Sequence, residues 1–264
     1  MDRKNRILFL ELSKTDFKLR YQGSILGYMW AIIRPLLMFG ILYVVFAKFL
    51  RFGVEIPNYP VYLLVGTVLW NFFTECTNQG IQSLVIRSDL MRKISFDRAV
   101  IVISATTTAL INLAINLVVI LIFAFISNIT PSLTWLLLPF LIIELYLLSL
   151  GLSFLLGSIN VKFRDIGSIW EVLTQALFYA TPIIYPLAIV SAHNLVAAKI
   201  LMLNPVAQII QDVRFCFVSN ETMTGWNLLE NPILKILPII IVSGIFLIGI
   251  IVFRKRAKYF AEEI

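Results

Sequence analysis

Residues 100–126 read VIVISATTTALINLAINLVVILIFAFI, a run without one charged side chain. Wound at 1.5 Å per residue, it reaches about 40 Å, more than the ~30 Å of hydrocarbon in a bilayer. A lone segment in lipid must satisfy its own backbone hydrogen bonds, so the run is a helix. Its polar residues are ordered: Ser104, Thr108, Asn112 and Asn116 recur every fourth position and share one face. In lipid such a face turns toward protein or water, and packing against a neighbouring helix is a simpler reading than a pore lining.

The rest of the chain matches this run. Of 264 residues, 59% are hydrophobic and only 14% charged, with a mean hydropathy of +0.90. A soluble domain carries nearer a quarter charged residues. Six spans are predicted, at about 28–49, 61–83, 100–126, 135–159, 166–185 and 233–253, so the fold class is an all-α integral membrane protein. An even number leaves both termini on one side. Sixteen lysines and arginines fall on that side, in the N-terminal segment, after spans 2 and 4 and after span 6, against five opposite. The positive-inside rule makes it the cytoplasm. Residues 1–264 then form a single permease domain: a cytoplasmic amphipathic segment (1–27), a six-span region (28–253) and a cytoplasmic tail (254–264).

The same distribution excludes several classes. The net charge of +7 lies in short loops between spans, which points to topology rather than nucleic acid. Cys76 and Cys216 fall in different compartments, so neither a disulfide nor a metal site is expected. His193 has no second ligand beside it and reads as a solvated loop residue. The start MDRKNRILFLELSK is too charged for a secretory signal. There is no G-x-x-x-x-G-K-[ST] phosphate loop, no Ser/His/Asp set and no convincing internal repeat, so no catalytic residue is assigned and ATP is not hydrolysed on this chain.

Ahead of span 1, Leu8, Leu12, Thr15 and Leu19 mark one face of a helix, with Leu10, Phe17 and Tyr21 on a poorer second stripe. This suits an interface helix with a protein neighbour; the plainer alternative is a solvated basic tail. Between spans 5 and 6, LAIVSAHNLVAAKILML and VAQIIQDVRFCFV are broken at Asn204-Pro205. They read as two short external helices or as a hairpin dipping into the membrane. Ser149, Ser153 and Gly157 give span 4 a small-residue face for close helix packing. The inner half of span 2, TECTNQGIQS, is far more polar than its outer half and suggests contact with water or a polar ligand. Glu75, Glu144 and Glu171 are acids at membrane level, and Arg34 is a base there.

Arg20-Tyr21, Ser24, Leu26-Gly27, Trp30 and Pro35 form R-Y-x-x-S-x-L-G-x-x-W-x-x-x-x-P, followed by Asn160 to Asp165 (NVKFRD), Thr181 to Tyr185 (TPIIY), and Asn204-Pro205 with Arg214. In order and spacing this resembles the type-2 ABC transporter permeases that export polysaccharides such as O-antigen, teichoic acid, capsule or rhamnose polymers. The loop RKISFDRAV departs from the family pattern at Asp97, where proline is usual, and keeps its basic character.

The resemblance implies two copies of this chain, two separate ATPase subunits that bind ATP and magnesium, and a lipid-linked polysaccharide as cargo. It places the ATPase contact in the loop holding Arg87, Asp89, Arg92, Lys93, Ser95, Phe96, Asp97 and Arg98, charges that a topology signal would also supply. It further implies that Arg20 and Arg34 meet an anionic headgroup, guanidinium matching phosphate oxygens, with snorkelling a rival role for Arg34. Tyr28, Trp30, Trp70, Phe73, Tyr179 and Tyr185 would offer flat faces to sugar rings, although aromatics also anchor spans at interfaces. An ABC permease for drugs or small lipids, and an ATP-independent carrier or channel, are the alternatives.

Overall fold

A computed structural model describes residues 3–51 and 56–260. Met1 and Asp2, the end of the tail beyond Phe260, and the Tyr21 side chain of the opening motif lie outside the described residues. Helix α1 (Arg3–Tyr21) leads through a 3₁₀ turn (Gly27–Met29) into α2 (Trp30–Leu42), which continues as a π-helix over Tyr43–Phe49. Then follow α3 (Tyr59–Ile86), the short α4 (Ser88–Lys93), α5 (Ala99–Ile126), a 3₁₀ turn (Leu133–Leu137), α6 (Leu138–Asn160) and α7 (Ile166–Ala180). Four short helices, α8 (Leu187–His193), α9 (Leu195–Leu201), α10 (Pro205–Phe217) and α11 (Gly225–Leu228), precede the long α12 (Pro232–Arg256). The described residues are helical or irregular, with no strand among them.

Four helical stretches are long and apolar enough to cross a membrane: Gly27–Phe49, Ala99–Ile126, Leu133–Asn160 and Pro232–Arg256. This is a multi-pass membrane protein. The other two predicted spans differ for physical reasons. Helix α3 is as long as α5, but the polar run from Thr74 to Ser83 dilutes its hydropathy, and it is buried along most of its length. Helix α7 stops at Ala180 rather than Tyr185. Thr181 takes an extended backbone (φ −93°, ψ 140°), as a residue before proline prefers, which leaves a helix of about 22 Å.

The segment expected to hold two short helices holds more. Asn194 ends α8, and its side chain accepts the Ala197 N–H at 3.0 Å to cap α9, so the first predicted helix is two. The break at Asn204-Pro205 stands: Asn204 caps α10 by accepting the Val206 N–H, with proline in the first turn.

Helix α3 is the central post, packed against α5, α6, α7, α10 and α2. The α3–α6 contact is made by small residues. A Cβ on Gly80 would stand 2.3 Å from Ser153, and one on Gly157 would stand 3.2 Å from the Gly80 carbonyl oxygen. The Ser153 hydroxyl donates to the Cys76 carbonyl at 3.3 Å. The small face of α6 therefore packs within the chain, as its spacing suggested. On another side α6 meets α12 backbone to backbone, where a Cβ on Gly249 would lie 2.3 Å from the Gly151 carbonyl oxygen.

Gly249→Ala should therefore cost about 1–3 kcal/mol of stability by overpacking. Gly244→Ala, in the same helix with open space at its Cβ, should be neutral or gain up to ~1 kcal/mol from helix propensity. Thermal denaturation of the purified protein in one detergent distinguishes the two.

Candidate functional site

The polar inner half of α3 meets donors from three directions. The Glu75 carboxylate pairs with the Arg20 guanidinium, accepts the Asn112 amide at 2.6 Å and the Gln79 amide at 3.1 Å. Arg20 is thus engaged by an acid of its own chain, with its side chain 29% exposed. Asn116, one turn beyond Asn112, donates to the Ala31 carbonyl at 3.2 Å. That carbonyl is the one a helix would bond to the N–H of residue 35, and Pro35 has none. The i+4 stripe of α5 therefore packs inside the chain and completes the hydrogen bonding of α3 and α2. Beside the Glu75 cluster, α1, α3 and α5 enclose a cavity of about 250 Å³ lined by Asp16, Arg20, Gln79, Arg87 and Thr108, among others.

The loop after α3 divides in two. Asp89, Arg92, Lys93, Ser95 and Asp97 are exposed. The others turn inward: Arg87 pairs with Asp16 of α1, Phe96 packs on an apolar cluster that includes Met91, and Arg98 donates to the Ala257 carbonyl beyond α12. Lys4 of α1 reaches the Ser95 carbonyl at 3.4 Å. Asp97, at the position where the family usually has proline, accepts the Ala99 N–H at 3.0 Å and so caps the start of α5.

The aromatic residues separate as well. Trp70 and Phe73 are 4% and 3% exposed, covered by Phe178 and Trp170 at ring separations of 6.0 and 6.1 Å. They belong to the core, and neither presents a flat face to a ligand. Tyr28 and Trp30 are exposed, with Tyr28 stacked on Phe17 at 5.3 Å. Tyr179 is 70% exposed, and the half-buried Tyr185 donates its hydroxyl to the carbonyls of Tyr179 and Ala180. Arg34 is exposed on α2. On α7, Ser168, Glu171, Gln175 and Tyr179 form an exposed line at three- and four-residue spacing. Among the described residues, neither Arg34 nor Glu171 has an ion-pair partner.

One residue was visible in the sequence only as part of a motif. Arg214 of α10 is fully buried without a carboxylate. Its guanidinium donates to the carbonyls of Tyr62 (3.0 Å), Pro182 (2.7 Å) and Ile183 (2.6 Å) and lies 3.6 Å from the centre of the Tyr62 ring. Five fixed donors let one cation satisfy several acceptors, and the ring face adds a cation–π contact. A Cβ on Gly66 would sit 2.2 Å from Arg214 Nη2, so this stretch of α3 needs glycine. Asn160 does similar work at the other end of α6: it donates to the Ile81 carbonyl and accepts the Gly167 N–H. The motif segments NVKFRD, TPIIY and Asn-Pro…Arg are thus junctions onto α3.

The protein is thus a helical membrane bundle with a buried polar post, a basic loop tied to α1 and to the turn after α12, and an uncovered polar line on α7. A family model described as ABC-2 type transporter matches residues 7–218. The chain belongs to the ABC-2 type transporter family. It is 30% identical over 261 residues to an O-antigen export system permease protein RfbA of Klebsiella pneumoniae, covering 97% of this chain and 94% of that protein. It is 27% identical over 259 residues to RfbA of Myxococcus xanthus, covering 98% and 96%. With the polysialic acid transport protein KpsM of Escherichia coli it shares 23% identity over 251 residues, covering 92% and 91%.

Replacing Arg214 by Leu strands the Pro182 and Ile183 carbonyls, at a cost on the order of 3 kcal/mol. Gly66→Ala should destabilise as well, by displacing the same guanidinium. Both variants should show lower yield and a lower unfolding temperature in detergent, and an unchanged unfolding temperature would refute the junction.

Proposed function

We propose that this chain is the membrane-spanning subunit of an exporter that carries a lipid-linked cell-surface polysaccharide outward across the bacterial plasma (inner) membrane. ATP and magnesium are bound by separate ATPase subunits. The observation that carries this reading is the exposed line Ser168, Glu171, Gln175 and Tyr179 on α7. Side chains such as Glu171 and Gln175 are costly against lipid, so a second copy of the chain or an aqueous path covers them. A polar path between two copies suits a hydrated sugar chain, and the relatives are named as O-antigen and polysialic acid transport proteins.

In this reading α2, α3, α5, α6, α7 and α12 are six crossings, with α7 extended by the TPIIY segment. Both termini lie in the cytoplasm in this reading, which the positive-inside rule supports, and α8 to α11 lie on the outer side. Helix α1 lies at the inner interface, and Asp89, Arg92, Lys93, Ser95 and Asp97 face the ATPase, in which acidic partners would complement the arginine and lysine. Arg34 is the guanidinium available to an anionic headgroup, since Arg20 is held by Glu75. Tyr28, Trp30, Tyr179 and Tyr185 are the aromatic candidates for contact with sugars.

Purified from its native membrane in mild detergent, the chain should carry an ATPase, two copies of each per complex by native mass. Recovery of the chain alone, with the ATPase present in the cell, refutes the exporter. Within an intact complex, Arg34→Ala should lower surface polysaccharide about tenfold or more through loss of the phosphate contact, whereas normal export removes Arg34 from headgroup binding.

A further inference from the structure

We infer that the turn after α12, Ala257–Phe260, is a positioning element that holds the coupling loop and passes its movement into α12 and α6. Phe260 is fully buried, although it follows four residues of which Lys258 and Tyr259 are exposed. Its ring meets Phe253 of α12 at 5.4 Å, and Phe253 meets Phe154 of α6 at 4.8 Å. The same cluster takes in Met91 of α4, Leu12 of α1 and Val161. Together with Leu84 of α3 and Val100, Ile101 and Val102 of α5, segments far apart in sequence thus share one core around the tail.

Polar contacts fix the arrangement. Arg98, at the end of the loop, donates to the Ala257 carbonyl, and Arg256 donates to the Ser158 carbonyl of α6 at 3.1 Å. At its start the loop is held to α1 by Arg87 and Asp16. A push on α4 therefore reaches α1 at one end of the loop and the tail at the other. Past the tail there is little to absorb it: α12 and α6 touch backbone to backbone at Gly249 and Gly151, and close-packed interiors transmit displacement instead of damping it. The exposed residues of the loop dock the ATPase, and the buried ones, through the tail, connect it to α12 and α6.

The inference rests on the reading that the loop docks an ATPase, and its test separates the two. Phe260→Ala, Phe260→Leu and Arg98→Met are each expressed in the full exporter, with ATPase copurification, ATP hydrolysis and surface polysaccharide measured together. For Phe260→Ala and Arg98→Met the complex should keep its ATPase and hydrolyse ATP within about twofold of the parent, while export falls about tenfold. Phe260→Leu, which refills the apolar socket, should restore export. Unchanged export in Phe260→Ala overturns the inference. So does a proportional fall of complex yield, hydrolysis and export, which is the mark of a merely structural tail. If Phe260→Ala does not accumulate, Arg98→Met decides, and loss of the ATPase from that variant assigns Arg98 to docking and also overturns it. An unmodified chain that never copurifies with an ATPase defeats the functional reading itself.

Discussion

A largely buried carboxylate has to find donors inside the protein, because leaving it without them costs on the order of several kcal/mol. Glu75 finds them in Arg20, Asn112 and Gln79, and that requirement places three parts of the chain. It draws the C-terminal end of α1 against α3, sets the rotation of α5, and keeps the polar half of α3 inside the bundle. Arg214 imposes the mirror constraint near the other end of α3, where a cation without a counter-ion is held by carbonyls and one aromatic ring. Between these two anchor points α3 has little freedom to turn or slide.

The remaining helices divide by how they meet that post. Helices α5 and α6 meet it along polar, glycine or serine faces, and α12 packs on α6 with a close approach at Gly249 and Gly151. Helices α2 and α7 expose large side chains to the outside, including the charged Arg34 and Glu171. A half fixed by short-range packing thus lies beside two helices whose exposed faces carry charge.

Much of this was legible in the sequence where a single period or a single residue determines the outcome. The i+4 stripe of α5 predicts which way that helix faces, and the small residues of α6 predict a close neighbour. Asn204-Pro205 predicts a break, and the basic loop predicts a distinct segment after α3. What was not legible depends on partners distant in the chain. Nothing near Arg20 shows that Glu75, 55 residues away, will occupy it. Trp70 and Phe73 look like interface aromatics until α7 lies over them. The early end of α7 follows from Thr181-Pro182, a local signal that a hydropathy window averages away. Asn194 lies inside an apolar run read as one short helix, and only its cap on Ala197 shows it as a boundary.

Arg214 also has a consequence for how the protein is made. It is synthesised 152 residues after Tyr62, whose carbonyl it binds, and more than thirty after the Pro182 carbonyl. Helix α3 is therefore synthesised well before its second anchor arrives. A chain stopped before that residue keeps a loosely held post and two carbonyls without their donor.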